Sequence, residues 1–427
     1  MRPGIKKLYF CFPYKGVGGV SVLFIRVAEF IASSGLARCF LIDYPDGHMS
    51  KLRDPRLTEL IEYSDSKYIC IPDDAIVIFQ SMTPWSIFPN IKMGKKTKLL
   101  FWNCHPLNLI PSLPGLRHLT ASTGFLSKLI LNTLLITFKV KSRNFLLFLE
   151  KSKAILFMDG NNLNVSSELL DVELSKPSFL PIPAKAVSKF RWNKTSSINS
   201  RSINFLWLGR IVDFKYFPLK RFLLDLNEVQ LSTGIQVSLT VIGNGEYFDK
   251  FYKDAAQNEN VQVKFIDHID LQDLDKFILE NADIMIAMGT SALEGVKLGV
   301  PTLLMDFSYK EIKGRYDYQW VHETKDFNLG SLLSERDKNI ERSLFKKISE
   351  FEKSSDSISS KELDYYEKNH NLTLISNQLL DFAAESGCFF DELDSQRILK
   401  KPLVYRIFNS LREKILKFNP SISKDRI

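Results

Sequence analysis

Residues 283–306 read DIMIAMGTSALEGVKLGVPTLLMD. Asp283 to Met288 is an apolar run of strand length, and Gly289, Thr290 and Ser291 break it. Ala292 to Leu298 carries Leu293, Val296 and Leu298 at helical spacing. Gly299 and Pro301 end that helix, and Thr302 to Met305 is a second apolar run. Strand, tight turn, short helix, tight turn and strand make a parallel βαβ unit. The turn turns backbone N–H groups outward from a helix N-terminus, with Thr290 or Ser291 placed to cap it, and such an end attracts an anion. Glu294, one turn into the helix, is within reach of the sugar hydroxyls of a nucleotide bound there. The same residues also suit a plain crossover with Glu294 solvated, so the surrounding chain has to decide.

Upstream, the pattern repeats. Ile203 to Leu208 reads as a strand, followed by Gly209-Arg210-Ile211-Val212-Asp213-Phe214-Lys215 and a helix from about Phe217 to Leu231. Gln236 to Ile242 is a strand ending in Gly243-Asn244-Gly245-Glu246, Val261 to Ile266 another, and Leu271 to Glu280 a helix. Regular strand–helix alternation predicts a doubly wound parallel sheet. Asp273-Leu274-Asp275 has the look of a metal-binding DxD, but it lies inside the helical pattern and reads as a solvated face. Gly209-Arg210 and Lys215 offer two cations to a diphosphate, and an Arg fork with a Lys point charge suits a pyrophosphate leaving group.

The first half has the same grammar. Lys7 to Phe12 predicts a buried strand, then come a glycine-rich loop through Gly16, Gly18 and Gly19 and an amphipathic helix that Gly35 ends. The loop does not match the GxGxxG dinucleotide fingerprint, and a packing turn explains it equally well. Further strands are expected at Cys39 to Ile42, Ile76 to Phe79, Leu99 to Trp102 and Ala154 to Met158. The strand at Leu99 delivers His105 just past its C-terminal end, the edge where ligands bind in open α/β sheets. Leu116 to Lys153 is both basic and apolar, with Glu150 its only acid. It reads either as helices covering the sheet or as a helix pair lying on an anionic membrane.

Of the 427 residues, 45% are hydrophobic and 25% charged, which is globular composition. The net charge of +8 suits a nucleic acid, a nucleotide substrate or an anionic surface. The 32 phenylalanines form no basic–aromatic RNA-binding signature, so no nucleic acid partner is expected. The five cysteines show no CxxC spacing and read as reduced thiols. No signal peptide is visible, and Leu129 to Phe138 is too short to cross a bilayer, so the expected location is cytoplasmic, with peripheral contact on the inner membrane face. Pro177 to Pro183 (PSFLPIP), then the Ser-, Lys- and Asn-rich Ala184 to Ser202, reads as a linker, with 184–202 separating residues 1–183 from 203–340. Residues 341–427 are expected to be helical, ending in a basic amphipathic stripe over Lys400 to Phe418.

GRIVDFK, VIGNGE and SALEGVKLGVP, in that order and spacing, resemble the retaining glycosyltransferases of the GT-B fold, group 1 or family 4 type. The likeness is clearest from Ile203 to Asp306 and weaker through GVGGV and the His105 strand end. It implies two Rossmann-like domains facing a cleft, the first holding the acceptor and the second a nucleotide-sugar. It implies that Arg210 and Lys215 bind the donor diphosphate and stabilise it as it leaves, with Glu294 on the ribose. Gly18 and Gly19 would approach the phosphates and His105 the transferred sugar. Gly209, the turn Gly243, Asn244, Gly245, Glu246, and Gly289, Thr290 and Ser291 complete the donor pocket. Neither a cofactor nor a metal is implied, since the cations neutralise the diphosphate.

One departure stands out. The family often carries a second glutamate eight positions before the one matched by Glu294, and here that position is Ile286. Backbone amides with Thr290 or Ser291 then contact the phosphates or sugar, or the chain is an inactive or differently specific member. The basic, apolar-rich first half and tail point to a lipid-linked saccharide acceptor, and such family members commonly build capsule, O-antigen or other lipopolysaccharide. A nucleotide-sugar epimerase on the same fold and a catalytically silent sugar-nucleotide-binding scaffold are the competing readings.

Overall fold

The computed structural model describes residues 7–16, 18–87, 90–112, 124–185, 191–193, 202–314, 316–333, 343–396 and 399–400. The basic stripe read over Lys400 to Phe418 lies outside these residues except for Lys400, as does most of 184–202. The chain divides into two compact units, Met1–Pro181 with Ile375–Ile427, and Ile182–Leu374.

In the first unit six parallel strands lie in the order Thr58–Glu62, Arg38–Asp43, Lys7–Cys11, Ile76–Gln80, Lys98–Asn103, Ile155–Phe157. Counted along the chain this is 3-2-1-4-5-6, the doubly wound arrangement, which reverses between Lys7–Cys11 and Ile76–Gln80. Ile76–Gln80 is buried throughout because helices cover both faces of a parallel sheet, which is why it reads as an unbroken apolar run. Thr58–Glu62 escaped the sequence reading. It is an edge strand, carries Glu59 and Glu62, and spends one charge on an exposed pair with Arg38, so its apolar signal is weak. Ile69–Ile71 and Ile91–Met93, also unforeseen, form a separate parallel pair too short to show a pattern.

The second unit repeats the plan. Gln262–Ile266, Gln236–Ile242, Ser202–Leu208, Ile284–Ala287 and Thr302–Leu304 run parallel, and Gln319–Trp320 closes the edge antiparallel. The order reverses between Ser202–Leu208 and Ile284–Ala287, so the loops after these two strands leave the sheet on either side of one crevice.

One helix starts earlier than the sequence suggests. Pro218 favours a helix beginning near Phe217, because proline is well tolerated only in the first turn. The helix instead spans Asp213–Thr233 with Pro218 inside it. Pro218 has no N–H to give the Phe214 carbonyl four residues back, and the Ser308 N–H takes that carbonyl at 2.9 Å. With its orphaned acceptor satisfied from another loop, the helix extends backward by a turn. Lys215 therefore sits on the helix's first turn and not in a preceding loop.

Among the described residues no helix is long and apolar enough to cross a membrane. Cys11, Cys39 and Cys388 are buried, Cys104 is partly buried and Cys70 exposed, and all five are free thiols.

Candidate functional site

The second unit builds its site at the crevice. The hydrogen-bond ladder of Ser202–Leu208 and Gln236–Ile242 continues past the strand ends: the Gly209 N–H donates to Ile242 O at 3.0 Å and the Ile211 N–H to Asn244 O at 3.0 Å. The Tyr247 N–H returns to Ile211 O at 3.0 Å. The two loops thus lie flat on one another, and this close approach requires glycine. A Cβ on Gly243 would stand 2.5 Å from Gly209 O, and one on Gly245 2.4 Å from Ile211 O. Both glycines also have positive φ, 128° and 154°. Gly243→Ala is expected to destabilise by roughly 2–4 kcal/mol, from strain plus backbone overlap, and to move Arg210 with its loop. A chemical denaturation midpoint unchanged from the parent would contradict this packing.

Lys215 occupies the middle of the site. Its Nζ lies 3.2 Å from where a Gly209 Cβ would stand, and Ser291 Oγ 3.7 Å from the same point. The loop after the first strand and the start of helix Thr290–Val296 therefore converge on one place, as the switch point requires. The Nζ is 5.9 Å from the Trp207 ring and 6.0 Å from that of Phe214. Trp207 also fixes the loop by donating its indole N–H to Gly209 O at 3.1 Å. Burial first, then repulsion from Arg210, pull the Lys215 ammonium down to about 8. The ion pairs among the described residues include neither Lys215 nor Arg210, and Arg210 is exposed. Two cations held side by side repel one another, and an anion placed against them would relieve that repulsion.

The helix following Ile284–Ala287 is capped differently from the expectation. Gly289, not Thr290 or Ser291, holds the N-cap position, with φ 64° and no side-chain cap. The Gly289 N–H is taken by Leu329 O at 2.7 Å and the Ala292 N–H by Gly289 O at 3.1 Å. Thr290 and Ser291, the first two helical residues, have no carbonyl four residues back inside the helix to accept their N–H groups. The segment around Gly330 thus lies against the turn. It is pinned there by Asp306, which accepts the Ser331 N–H at 2.7 Å.

Glu294 is neither solvated nor free. Its carboxylate meets Lys297 Nζ at 2.5 Å, and the same Nζ meets Asp275 at 2.8 Å. Lys297 is 5% exposed. Burial opposes its charge, but Glu294 and Asp275 outweigh burial and raise its pKa. Asp275, read from sequence as one end of a solvated DxD, is thus tied to the site helix while Leu274 is buried. This triad was invisible in the sequence because Asp275 and Lys297 lie 22 positions apart, on either side of strand Ile284–Ala287. Ile286, standing where the resembled family has a glutamate, is fully buried in the central strand. Asn244 and Glu246 are exposed on the neighbouring turn, with Asn244 Nδ2 donating to Asp267 at 2.7 Å.

In the first unit, Gly18 is the extended N-cap of helix Gly19–Ser33, and a Cβ on Gly19 would meet nothing within 4 Å. The glycine-rich loop is set by a residue that sequence reading missed, the fully buried Asp43 at the end of its strand. Its carboxylate accepts the N–H groups of Tyr14, Tyr44 and Met49, each at 2.8 Å, and of Ser50 at 3.2 Å. Burial raises its pKa against the pull of these four bonds. His105 is exposed beyond strand Lys98–Asn103, and its Nδ1 accepts the Leu107 N–H at 3.2 Å, which leaves the neutral ring's proton on Nε2. The structure thus gathers Gly209, Lys215 and Ser291, and Gly243 with Gly209, within the second unit. In the first unit Gly18 and Gly19 stand at the start of helix Gly19–Ser33, and His105 stands just past strand Lys98–Asn103.

No family model matches the chain, and no curated protein matches it in sequence. Solved structures do match. A glycosyltransferase from Rickettsia africae aligns with a TM-score of 0.53 at 14% identity, over 89% of this chain and 98% of that one. HepE from Anabaena, in complex with UDP and glucose, aligns with a TM-score of 0.50 at 11% identity, over 88% and 98%. The E. coli trehalose-6-phosphate structure bound with UDP-2-fluoro glucose gives 0.51 at 10%, over 89% and 99%. The chain has the GT-B glycosyltransferase fold, with two Rossmann-like domains, as the sequence resemblance implied.

Proposed function

We propose that the protein is a retaining glycosyltransferase that moves a sugar from a nucleoside-diphosphate sugar to a saccharide acceptor. The observation that carries this is the pair of cations, Arg210 and Lys215, at the switch point of the second unit's sheet, with Lys215 held near its titration point. Structures sharing the fold are bound to UDP with glucose and to UDP-2-fluoro glucose, which supports a nucleotide-sugar donor. In this reading the donor's sugar–phosphate bond loosens toward an oxocarbenium-like state. Arg210, Lys215 and the Thr290 and Ser291 amides take up the charge growing on the diphosphate, and Glu294 holds the ribose. The acceptor hydroxyl then attacks the face the diphosphate leaves and passes its proton to the departing phosphate oxygen, which gives retention. Neutralisation by two side-chain cations makes a metal unnecessary to this mechanism.

Residues 203–340 hold the donor in this reading, and residues 1–183 the acceptor. Gly18 and Gly19 serve the donor phosphates and His105 the transferred sugar. The basic charge favours a lipid-linked acceptor and a place in surface-polysaccharide synthesis at the inner membrane face. The test is incubation with a panel of nucleotide-sugars and lipid-linked saccharides, with detection of free nucleoside diphosphate and the anomeric configuration of the product by NMR. Release of diphosphate with a product of the donor's anomeric configuration is expected. An epimerised donor with its diphosphate intact, or tight donor binding with no release from any panel member, would replace the proposal by the epimerase or silent-scaffold reading.

A further inference from the structure

Helices Phe125–Asn132 and Ile136–Lys151 follow one another through Thr133, Leu134 and Leu135. Their inner side belongs to the first unit's core, where Phe145 meets Phe101 edge-on at 5.4 Å and Phe138 meets Trp85 at 5.5 Å. Both sequence readings of this region concerned its apolar residues, and the structure splits those residues in two. The outer side is apolar as well: Phe125 is 82% exposed, Leu126 60% and Leu134 67%. On the second helix Ile136, Val140, Arg143, Leu147 and Lys151 recur every three or four positions and share one exposed stripe. Seven of the 18 large hydrophobic residues exposed among the described residues fall between Phe125 and Leu147, a clustering that singly scattered surface residues do not show.

The charges choose the occupant. Lys128 pairs with Glu168 at 2.7 Å and Lys139 with Asp171, but Arg143 and Lys151 enter no ion pair among the described residues. The one acid of the two helices, Glu150, is turned to the Lys176 N–H and the Ser175 hydroxyl. A second copy seated on this face would set Arg143 and Lys151 against their like with no carboxylate to meet them. A lipid surface meets both needs: apolar residues enter the acyl boundary, and the Arg and Lys heads reach anionic phosphates along their own stems.

We propose that this helix pair docks the protein on an anionic membrane. Docking is read separately from sugar transfer, so either result can stand without the other. The test is flotation of the full chain with vesicles of phosphatidylcholine alone or mixed with phosphatidylglycerol. Flotation with the mixed vesicles only, weakened by salt, is expected. Ile136→Gln/Val140→Gln/Leu147→Gln should abolish it while an unchanged melting curve shows the fold intact, since the sites are exposed and Gln favours helix. Arg143→Gln/Lys151→Gln should lower binding by roughly thirtyfold. Equal flotation on neutral vesicles, no flotation, or undiminished flotation of both variants would overturn the proposal. So would a parent dimer that the triple variant dissolves.

Discussion

Lys215→Met should lower sugar transfer by roughly 10²–10³-fold and at the same time make the protein more stable. The two effects have one cause. Burial and the neighbouring Arg210 bring Lys215 down from an ordinary 10.5 to about 8, so the folded protein at neutral pH holds an ammonium its surroundings disfavour. A folded-state pKa below the unfolded one means that the unfolded chain binds more protons between about pH 8 and pH 10.5, so parental stability rises across that window. Methionine keeps the stem and removes the charge, for a gain of about 2 kcal/mol at pH 7 after allowing for the partial exposure of the site. The gain over the parent should shrink as pH climbs from about 8 to 10.5. Transfer by the parent should fall over the start of the same window, as the cation proposed to neutralise the diphosphate loses its proton. Arg210→Ala, at an exposed position, should depress turnover to a similar degree with little change in melting temperature. A folded Lys215→Met protein with near-parental turnover would remove the basis of the mechanism.

Asp43→Ala should give the largest loss of stability, about 4 kcal/mol. It strips the acceptor from four backbone N–H groups at a fully buried position. Asp43→Asn should recover part of this, because the amide keeps one oxygen, but its NH₂ cannot accept the bonds the other oxygen received. Protease sensitivity should rise first between Tyr14 and Ser50, where the released N–H groups lie. Equal denaturation midpoints for the parent and Asp43→Ala would show that the glycine-rich loop is held by other means.

Much of the candidate site was legible because its local chemistry is written in contiguous residues. The glycines at 209, 243 and 289 follow apolar runs, and only a residue without a Cβ suits their positive φ or the approach of another backbone. Arg210 and Lys215 could be paired from spacing alone. What escaped were partnerships between distant parts of the chain. Nothing near Pro218 announces that Ser308 satisfies the carbonyl it orphans, so the local sequence predicts a helix start one turn late. Nothing near Glu294 announces Asp275, and Lys297 three positions on looks like one more surface lysine until the packing buries it.

The alternation of apolar runs with amphipathic segments settled the doubly wound α/β class, since burial of a parallel sheet on both faces demands that alternation whatever the side chains' later contacts. The electrostatic state of the site was decided only by the tertiary structure. Loss of hydration and the attraction or repulsion between charges depend on which groups the fold brings within a few ångströms, and linear order does not encode those distances. That is why Lys215 stands near 8 beside Arg210, why Lys297 holds Glu294, and why half the apolar residues of Phe125–Lys151 face outward while the rest fill the core.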